Sequence, residues 1–412
     1  MSFNDHDRDI LKRLAERKAE IAALPVHREK AKLWRRVNQL DPVRPTVWIT
    51  EVPWHEIDDP ELRPRCHDAY AQEIETELLR ELYQWDHFRV DTIVEPVLYC
   101  PIVIHDSGFG IVEESKKIYA HEGSVPSRGF VIQIQEPEDL EKIQEPVISI
   151  DHAETERRFG ALNEAVGDII SVRKQGVPGR WFAPWDELVR WWGIEQAMTD
   201  LLDRPEMIHA AMDRLITVWL SRLEQWEQLD LLSSNNAPIR VGSGAYGYTD
   251  ELPTDDSAPE PLTPADLWGC STAQIFSGVS PAMHDEFALT YERRWLERFG
   301  LTYYGCCEPL HGKIEILEQI PNLRKISASP WANVAVMAEK TGGRYVISHK
   351  PNPAIVAEDD WNPSRARALL CEAVEKSNGC PMEIILKDIS TMRFDPARLR
   401  DWAQIAMDVV GA

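Results

Sequence analysis

The amino-acid sequence predicts an α/β protein: a (β/α)8 TIM barrel that follows a helical N-terminal extension. Three observations support this fold class. From residue 89 onward, short apolar runs alternate with helical patterns, and such strand-loop-helix units require parallel strands joined by crossover helices. The runs are continuously apolar, as expected for strands that are covered on both faces. No Gly-x-Gly-x-x-Gly follows a first strand, which favours a barrel over a doubly wound sheet.

The N-terminal region, residues 1–88, is predicted to be helical and to pack on the barrel, which occupies residues 89–412. Its charged segments place apolar residues at helical spacing, and Pro25 interrupts the first of them. The predicted elements are helices over 5–24, 25–40 and 61–85, with a short strand at 47–49.

The barrel region is predicted to alternate strands and helices up to the C-terminus, with four clear strand-helix units in its last part. The predicted strands are 91–104, 130–134, 301–307, 325–329, 345–350 and 382–388. The predicted helices are 184–228, 281–299, 312–319, 332–341, 363–377 and 395–409. The glycine-rich segment 242–247 precedes a Pro- and Asp-rich loop rather than a helix, so we interpret it as a substrate loop or a flexible connector.

Composition excludes several classes of protein and partner. The chain has 412 residues with 45 Lys and Arg against 68 Asp and Glu, a formal charge of −23. Without a basic run, that charge argues against nucleic acid and anionic membranes as partners. No apolar stretch is long enough for a membrane span, and the charged start is not a signal segment, so we expect a cytoplasmic protein. We expect the seven cysteines to be free of disulfides.

The candidate metal site follows the strand predicted at 301–307. Active sites of parallel barrels lie at the carboxyl ends of the strands, and this strand ends in Cys306, Cys307, Glu308 and His311. A catalytic zinc takes three protein ligands, and Cys380 from a neighbouring unit could complete the set. Zinc would hold a thiol as a nucleophilic thiolate. The alternative is structural: Cys306 and Cys307 flank a strand end, where neighbouring residues point to opposite faces, and Glu308 pairs with a nearby Lys or Arg.

Further candidates are acid-base groups and aromatic pocket walls. Glu95 lies inside an apolar run, so it is either a functional buried carboxylate or one that an Arg satisfies. His349 ends the strand predicted at 345–350 and is a candidate acid-base or positioning group. The predicted walls of a substrate pocket are the aromatic residues Trp181, Trp185, Tyr246 and Tyr248.

The chain resembles the uroporphyrinogen decarboxylase superfamily from about residue 89 to the C-terminus. The resemblance rests on VDTIVEPVLYCPIVI, on GRWFAPWDELVRWWGIEQAMTDLL, on AQIFSGVSPAMHDEF through LTYYGCCEPLHGKIEILEQIPNLRKISASPWAN, and on MEIILKDISTMRFDPARLRDWAQIA. It implies a single (β/α)8 barrel preceded by helices. True decarboxylases of the superfamily have an Arg-Gln-Ala-Gly-Arg-Tyr motif, whereas this chain has RPTVWITEVPW and retains only Arg44.

The methyltransferase branch of this superfamily has His-x-Cys at a late strand and a further Cys near the last strand. Tyr304-Gly305-Cys306 stands at the first motif, and Cys380 lies 380 − 306 = 74 positions later. Because Tyr304 replaces the histidine, Glu308, His311 or Cys307 would have to be the third zinc ligand.

The resemblance implies methyl transfer between a small substrate, such as a methoxylated aromatic that undergoes O-demethylation, and a corrinoid (a cobalamin-type cofactor) on a partner protein, with zinc assistance. The first alternative is a metal-free decarboxylase of a carboxylated tetrapyrrole or other acid, which predicts an Arg-lined pocket. The second is a non-catalytic corrinoid or tetrapyrrole binder with a barrel scaffold.

Overall fold

The computed structural model describes residues 2–118, 127–254, 257, 259 and 261–411. Twelve strands are present in this part of the chain. They are β1 (Thr46–Ile49), β2 (Val97–Pro101), β3 (Ile104–Asp106), β4 (Ser115–Ile118), β5 (Ser127–Phe130), β6 (Ile148–Ile150), β7 (Ser171–Gln175), β8 (Trp268–Ser271), β9 (Leu301–Tyr304), β10 (Leu323–Ala328), β11 (Val346–His349) and β12 (Met382–Leu386).

Fourteen α-helices accompany the strands within the described residues. They are α1 (Asp5–Ala22), α2 (Val26–Asn38), α3 (Ala69–His87), α4 (His152–Val166), α5 (Pro184–Trp192), α6 (Ile194–Asp203), α7 (Pro205–Gln228), α8 (Pro281–His284), α9 (Thr290–Leu296), α10 (Ile314–Leu317), α11 (Val334–Thr341), α12 (Ala354–Ala357), α13 (Pro363–Lys376) and α14 (Ala397–Gly411). A π-helical turn, Asp285–Leu289, joins α8 to α9.

The central sheet has six parallel strands in the order β1-β12-β11-β10-β9-β8. A helix follows each of β9, β10, β11 and β12, so the four predicted strand-helix units at the C-terminal end are confirmed. Strands β2 and β7 form a separate parallel pair, while β3 with β6 and β4 with β5 pair antiparallel. The α/β class is thus confirmed, whereas closure into an eight-stranded barrel stays a prediction.

The N-terminal region contributes to the central sheet. The predicted strand at 47–49 is confirmed as β1, which pairs with β12 from Thr46 opposite Glu383 to Ile49 opposite Leu386. Helices α1 and α3 pack together and bury Leu11, among other apolar side chains. The predicted boundary between an extension, 1–88, and a barrel, 89–412, stays a prediction, but residues of the first range form one edge of the sheet.

Helix boundaries differ from the predictions where backbone constraints intervene. The helix predicted from residue 61 begins at Ala69, because the Asp68 carboxylate caps its first turn by accepting from the amides of Tyr70 and Ala71. The stretch 184–228 is three helices rather than one. It breaks at Gly193, whose φ of +84° is outside the helical range, and again before Pro205.

Two strand predictions were only partly right. Only Phe130 of the predicted strand 130–134 belongs to β5, and the amides of Gln133 and Ile134 instead donate to the Trp191 carbonyl. The predicted strand 91–104 is broken, since β2 begins at Val97 and β3 begins at Ile104.

The glycine-rich segment 242–247 is buried, which excludes its interpretation as a flexible surface connector. The Ser243 hydroxyl lies 2.9 Å from the Tyr303 hydroxyl, and the Ala245 amide donates to the Glu383 carboxylate over 3.2 Å. A Cβ on Gly244 would come within 2.6 Å of the Tyr303 ring, so only glycine permits this approach. The segment therefore packs against inward-facing side chains of β9 and β12.

The strands present alternating residues to two environments. In β12, Ile385 packs with Trp34 and Tyr246 in a small apolar cluster against the glycine-rich segment, whereas Ile384 and Leu386 belong to the main hydrophobic core. We call these the inner and outer faces of the sheet, because successive strand residues point to opposite sides. Among the described residues, no helix is both long enough and apolar enough to cross a bilayer.

Candidate active site

A turn after β9 brings two sulfur atoms together at the carboxyl ends of the strands. The turn starts at Gly305, which has a φ of +99°, and a Cβ there would lie 2.4 Å from Leu310 Cδ1. Cys306 and Cys307 follow within the turn, and their Sγ atoms are 3.6 Å apart. The strand was predicted to continue through 307, with the two cysteines on opposite faces. That prediction was wrong, because β9 ends at Tyr304.

Buried side chains fix the backbone of this turn. One carboxylate oxygen of Glu308 accepts from the Cys306 amide over 2.9 Å, and the other accepts from the Thr272 hydroxyl over 2.9 Å. The Ser327 hydroxyl donates to the Cys306 carbonyl over 2.7 Å. Glu308 is fully buried, and its burial raises the pKa of its carboxyl group. Its oxygens therefore hold the turn and do not point to a shared ligand with the sulfurs.

Two lysines from neighbouring strands make the surroundings of Cys306 electropositive. The Lys387 ammonium, at the end of β12, lies 4.0 Å from Cys306 Sγ and 2.6 Å from an Asp388 carboxylate oxygen. Burial acts against its charge, yet the neighbouring Cys306 and Asp388 raise the pKa of Lys387 above its usual value. Lys387 therefore stays protonated beside the sulfur.

The Cys306 thiol is thereby prepared to ionise. A hydrogen bond from the Cys307 thiol lowers the pKa of Cys306 to about 7; burial opposes this shift, and Lys387 and Lys350 add to it. The same hydrogen bond raises the pKa of Cys307 far above its usual value. Cys306 is buried and Cys307 is exposed. Above about pH 7 the pair therefore consists of a thiolate at Cys306 and a neighbouring thiol that stabilises it.

Lys350, which follows β11, lies in a cage of hydroxyl groups beneath the turn. Its ammonium donates to the hydroxyls of Tyr303, Ser327 at 2.8 Å and Ser348 at 3.2 Å. Burial lowers the pKa of Lys350 to about 7. This lysine can therefore gain or lose a proton near neutral pH, and Ser327 connects it to the backbone of Cys306.

Two charged residues, one just after β1 and one just before the glycine-rich segment, extend the site. One oxygen of Glu51 accepts from Arg240 over 2.6 Å, and the other accepts from the Asp388 amide over 2.9 Å. Glu51 also lines a cavity of about 480 Å³ whose walls include Trp48 and Tyr246. A cavity of this volume accommodates a small organic molecule.

Two residues predicted to act on substrate meet at this cavity, and a third lies beside them. Glu95 and Tyr246 both line it. The Tyr248 hydroxyl donates to a Glu95 oxygen over 2.9 Å, and its ring lies edge-on to Tyr246. The structure thus groups Glu95, Tyr246 and Tyr248 at a cavity that Glu51 also lines, whereas Cys306 and Cys307 do not line it.

The two tryptophans predicted as pocket walls lie in different environments. Trp181 is 39% exposed and lines a smaller cavity of about 130 Å³ together with Arg180 and Arg240. Trp185 is fully buried in the hydrophobic core, where its indole N–H donates to the Phe287 carbonyl over 3.0 Å. Trp185 therefore belongs to the helix packing.

The two predicted histidines lie together but away from the sulfurs. His349 is the last residue of β11 and lies between the inward residues Ser348 and Lys350, so its ring points away from the inner face. It lines a cavity of about 430 Å³ with His311, Trp331 and Trp402. The Nδ1 atoms of both histidines are buried and have no hydrogen-bond partner within the described part of the chain.

The predicted zinc ligands do not converge. Cys380 precedes β12, at the amino end of the sheet, whereas Cys306 follows the carboxyl end of β9, so the parallel strands separate the two. Across residues 2–118, 127–254 and 261–411, three or more potential ligand atoms come close enough to share a metal ion only at His6, Asp7 and His67. The turn therefore offers two thiols, and this donor set does not fit a three-ligand zinc site.

Tyr304, which stands where the resemblance implies a histidine, points to the outer face. Its hydroxyl donates to a Glu292 oxygen over 2.7 Å and lies 2.7 Å from His284 Nε2. The Lys313 ammonium lies 2.9 Å from His284 Nδ1. We call these four buried residues the outer cluster. Burial raises the pKa of Glu292 to about 8 and lowers that of His284 to about 3, with Lys313 adding to the second shift.

Sequence reasoning missed the two lysines as site residues. Lys350 and Lys387 lie two positions after Ser348 and Ile385, which are inner-face residues, so the two-residue period of a strand places both lysines on the inner side. That signal was present in the sequence. Glu51 and Arg240 gave no comparable signal, because they lie in irregular segments.

Comparison with known proteins supports the fold. No family model and no curated protein matches this chain. Among solved structures, it is similar to a methyltransferase from Methanosarcina mazei, with a TM-score of 0.52 and 11% sequence identity, over 92% of this chain and 98% of that one. At this identity the similarity is one of fold, and it extends over nearly the whole chain.

Proposed function

We propose that this chain is a methyltransferase in which the Cys306 thiolate contacts the methyl group that is transferred. The observation that carries the proposal is the Cys306 thiol, whose pKa is lowered to about 7 beside Lys387 at the carboxyl ends of parallel strands. A thiolate is a soft nucleophile that suits attack on a methyl carbon. The fold shared with a methyltransferase is consistent with this chemistry.

In the proposed reaction the Cys306 sulfur attacks the methyl carbon of the donor. The sulfur-carbon bond forms as the bond from carbon to the leaving group breaks, and the leaving group departs with the electron pair. The thiol proton leaves to solvent beforehand, because the pKa of Cys306 is lowered to about 7, and Lys350 contributes positive charge near the sulfur. Lys387 stays protonated and stabilises the thiolate. The acceptor then attacks the methyl carbon on Cys306: the carbon-acceptor bond forms as the sulfur-carbon bond breaks, and the Cys306 thiolate leaves with the electron pair. The first leaving group takes a proton from solvent.

The cavity beside Glu51 is the proposed binding place of the small substrate. Its aromatic walls, Trp48 and Tyr246, suit a methoxylated aromatic, and Glu95 with Tyr248 would orient a polar substituent. The second substrate in this proposal is a corrinoid on a partner protein, which supplies a centre that can carry a methyl group. Zinc has no step in the proposal, because the turn offers only two donors.

The test follows a deuterium-labelled methyl group. The protein is incubated with 2-methoxyphenol that carries a deuterated methyl group and with reduced cobalamin, and mass spectrometry measures labelled methylcobalamin. We expect transfer that Cys306→Ser reduces at least about 100-fold, whereas the matched control Cys380→Ser retains it. Full transfer by Cys306→Ser would overturn the role of this thiol. A change in cobalamin absorbance without any transfer would instead indicate the binding scaffold.

One observation favours a decarboxylase as the second candidate. Arg180 and Arg240 line the same cavity of about 130 Å³, as expected for a site that holds a carboxylate. The volume suits a small acid and is too small for a tetrapyrrole. Release of carbon dioxide from a small carboxylic acid, lost in Arg180→Gln, would favour this candidate over methyl transfer.

A further inference from the structure

Cys306 and Cys307 form a vicinal dithiol that is already arranged for chelation. Their sulfurs are 3.6 Å apart in a turn with a fixed backbone. Glu308 accepts from the Cys306 amide, and Ser327 donates to the Cys306 carbonyl. Binding of one ligand to both sulfurs would therefore lose little conformational entropy, because the turn is already ordered. Cys307 is exposed, so the pair is accessible from solvent.

The surroundings of the dithiol select against a divalent cation. Among the described residues, no third His, Cys, Asp or Glu atom lies close enough to share a metal ion with the two sulfurs. The Lys387 ammonium lies 4.0 Å from Cys306 Sγ, and a second positive charge bound there would be repelled. A ligand that fits this site is uncharged, prefers sulfur, and needs only two bonds to protein sulfurs to complete its coordination.

We propose that Cys306 and Cys307 form a binding site for trivalent arsenicals. An organic arsenical in this oxidation state is neutral, prefers sulfur, and needs only two thiols from the protein. Each thiol loses its proton, two arsenic-sulfur bonds form, and the oxygen of the arsenical leaves as water with both protons. Arsenic stays trivalent, so the step needs no oxidant or reductant. The proposal does not rest on methyl transfer.

The distribution of the other cysteines makes the site specific. Cys66, Cys100 and Cys270 are buried. Cys371 is exposed, and the Cys380 sulfur lies 3.7 Å from the Ala338 carbonyl at the other end of the sheet. Within the described part of the chain, Cys306 and Cys307 are the only two cysteines whose sulfur atoms lie close together. One arsenical per chain is therefore expected.

Titration of the folded protein with phenylarsine oxide tests the site. Intact-mass measurement under native conditions should show one bound phenylarsenic group, which a dithiol removes and an equal concentration of a monothiol does not. Because the second sulfur binds intramolecularly, Cys306→Ser and Cys307→Ser should each weaken binding by about 100-fold or more. Cys371→Ser and Cys380→Ser are the matched controls and should bind as the parent protein does.

Two results would overturn the proposal. One is binding that Cys307→Ser leaves unchanged, since a single thiol would then be sufficient. The other is stoichiometric zinc that needs both Cys306 and Cys307, because that would show a cation site at the turn. Circular dichroism of each variant establishes that it is folded, and the conservative variant Cys307→Ala provides a second test of the same position. A parent protein that binds the arsenical but transfers no methyl group would contradict the proposed function alone.

Discussion

The two faces of the same strands hold polar groups for different purposes. On the inner face of β9 and β11, Tyr303 and Ser348 contact Lys350 beneath the cysteine turn. On the outer face, the neighbouring Tyr304 contacts Glu292 and His284 within the helix layer. The inner groups lie next to the Cys306 thiol, whose neighbour Cys307 is exposed to solvent, whereas all residues of the outer cluster are buried. Two adjacent residues, Tyr303 and Tyr304, therefore serve different purposes: the first lies near the reactive thiol, and the second supports the packing of the helices on the sheet.

The largest expected effect on stability comes from an ion pair between inner-face residues of β10 and β12. The buried ion pair between Lys325 and Glu383 has a nitrogen-oxygen distance of 2.9 Å, and both side chains are fully buried. Lys325→Met leaves an uncompensated buried carboxylate and should lower the free energy of unfolding by about 3–5 kcal/mol. Urea unfolding measures this loss.

The double variant Lys325→Met with Glu383→Gln is the control for that loss. It removes both charges and keeps an acceptor for the Ala245 amide, so it should recover a large part of the stability. A single variant as stable as the parent would show that this pair does not support the inner face.

The next effect separates the two faces directly. Tyr304→Phe removes the hydroxyl between Glu292 and His284, and it should lower the free energy of unfolding by about 1–3 kcal/mol because two buried groups lose a partner. The rate at which Cys306 reacts with iodoacetamide should not change. A slower reaction at Cys306 in the folded variant would mean that the outer cluster acts on the thiol.

The outer cluster should also make stability depend on pH. Burial raises the pKa of Glu292 to about 8 from its ordinary value of 4.5, so between these values the folded chain binds a proton that the unfolded chain has lost. This residue's contribution therefore falls as pH rises from 4.5 to 8, by up to about 1.4 kcal/mol per pH unit. Urea unfolding of Glu292→Gln at several pH values should show a smaller loss; an unchanged slope would contradict this assignment.

The smallest expected effect concerns the charge beside the sulfur. Lys387→Gln removes the ammonium 4.0 Å from Cys306 Sγ and should raise the pH midpoint of Cys306 alkylation by roughly one unit. The control is Lys376→Gln, which removes an exposed lysine paired with Glu372 and should leave the midpoint in place. Equal midpoints in the two variants would exclude Lys387 as a source of thiolate stability.

Much of the fold was predictable because it depends on local pattern. The apolar runs from β9 to β12 and the helices between them follow from periodicity, and the position of Cys306 near a strand end follows with them. The sequence did not predict that the helix would break at Gly193 and before Pro205, because the helical pattern of apolar residues continues through both positions.

The geometry of the site was less predictable, because it depends on the turn and on strand direction. A strand ending at Tyr304 brings the two sulfurs together, whereas one ending at 307 would separate them, and the pattern does not distinguish the two. Cys380 lies before β12 in the chain, so strand direction alone already placed it away from the carboxyl ends. His349 points to the outer face for a similar reason, since its neighbour Lys350 is the inward residue, and its role as an acid-base or positioning group stays a prediction.

The Cys307 thiol and the lysines of the inner face together lower the pKa of Cys306 to about 7. The most direct measurement is the pH dependence of iodoacetamide alkylation of the folded protein, with the modified peptide read by mass spectrometry residue by residue. We expect modification at Cys306 with a midpoint near pH 7, in agreement with its lowered pKa of about 7. A midpoint at Cys306 of about 8.5, the ordinary value for cysteine, or faster modification at Cys307, would contradict it.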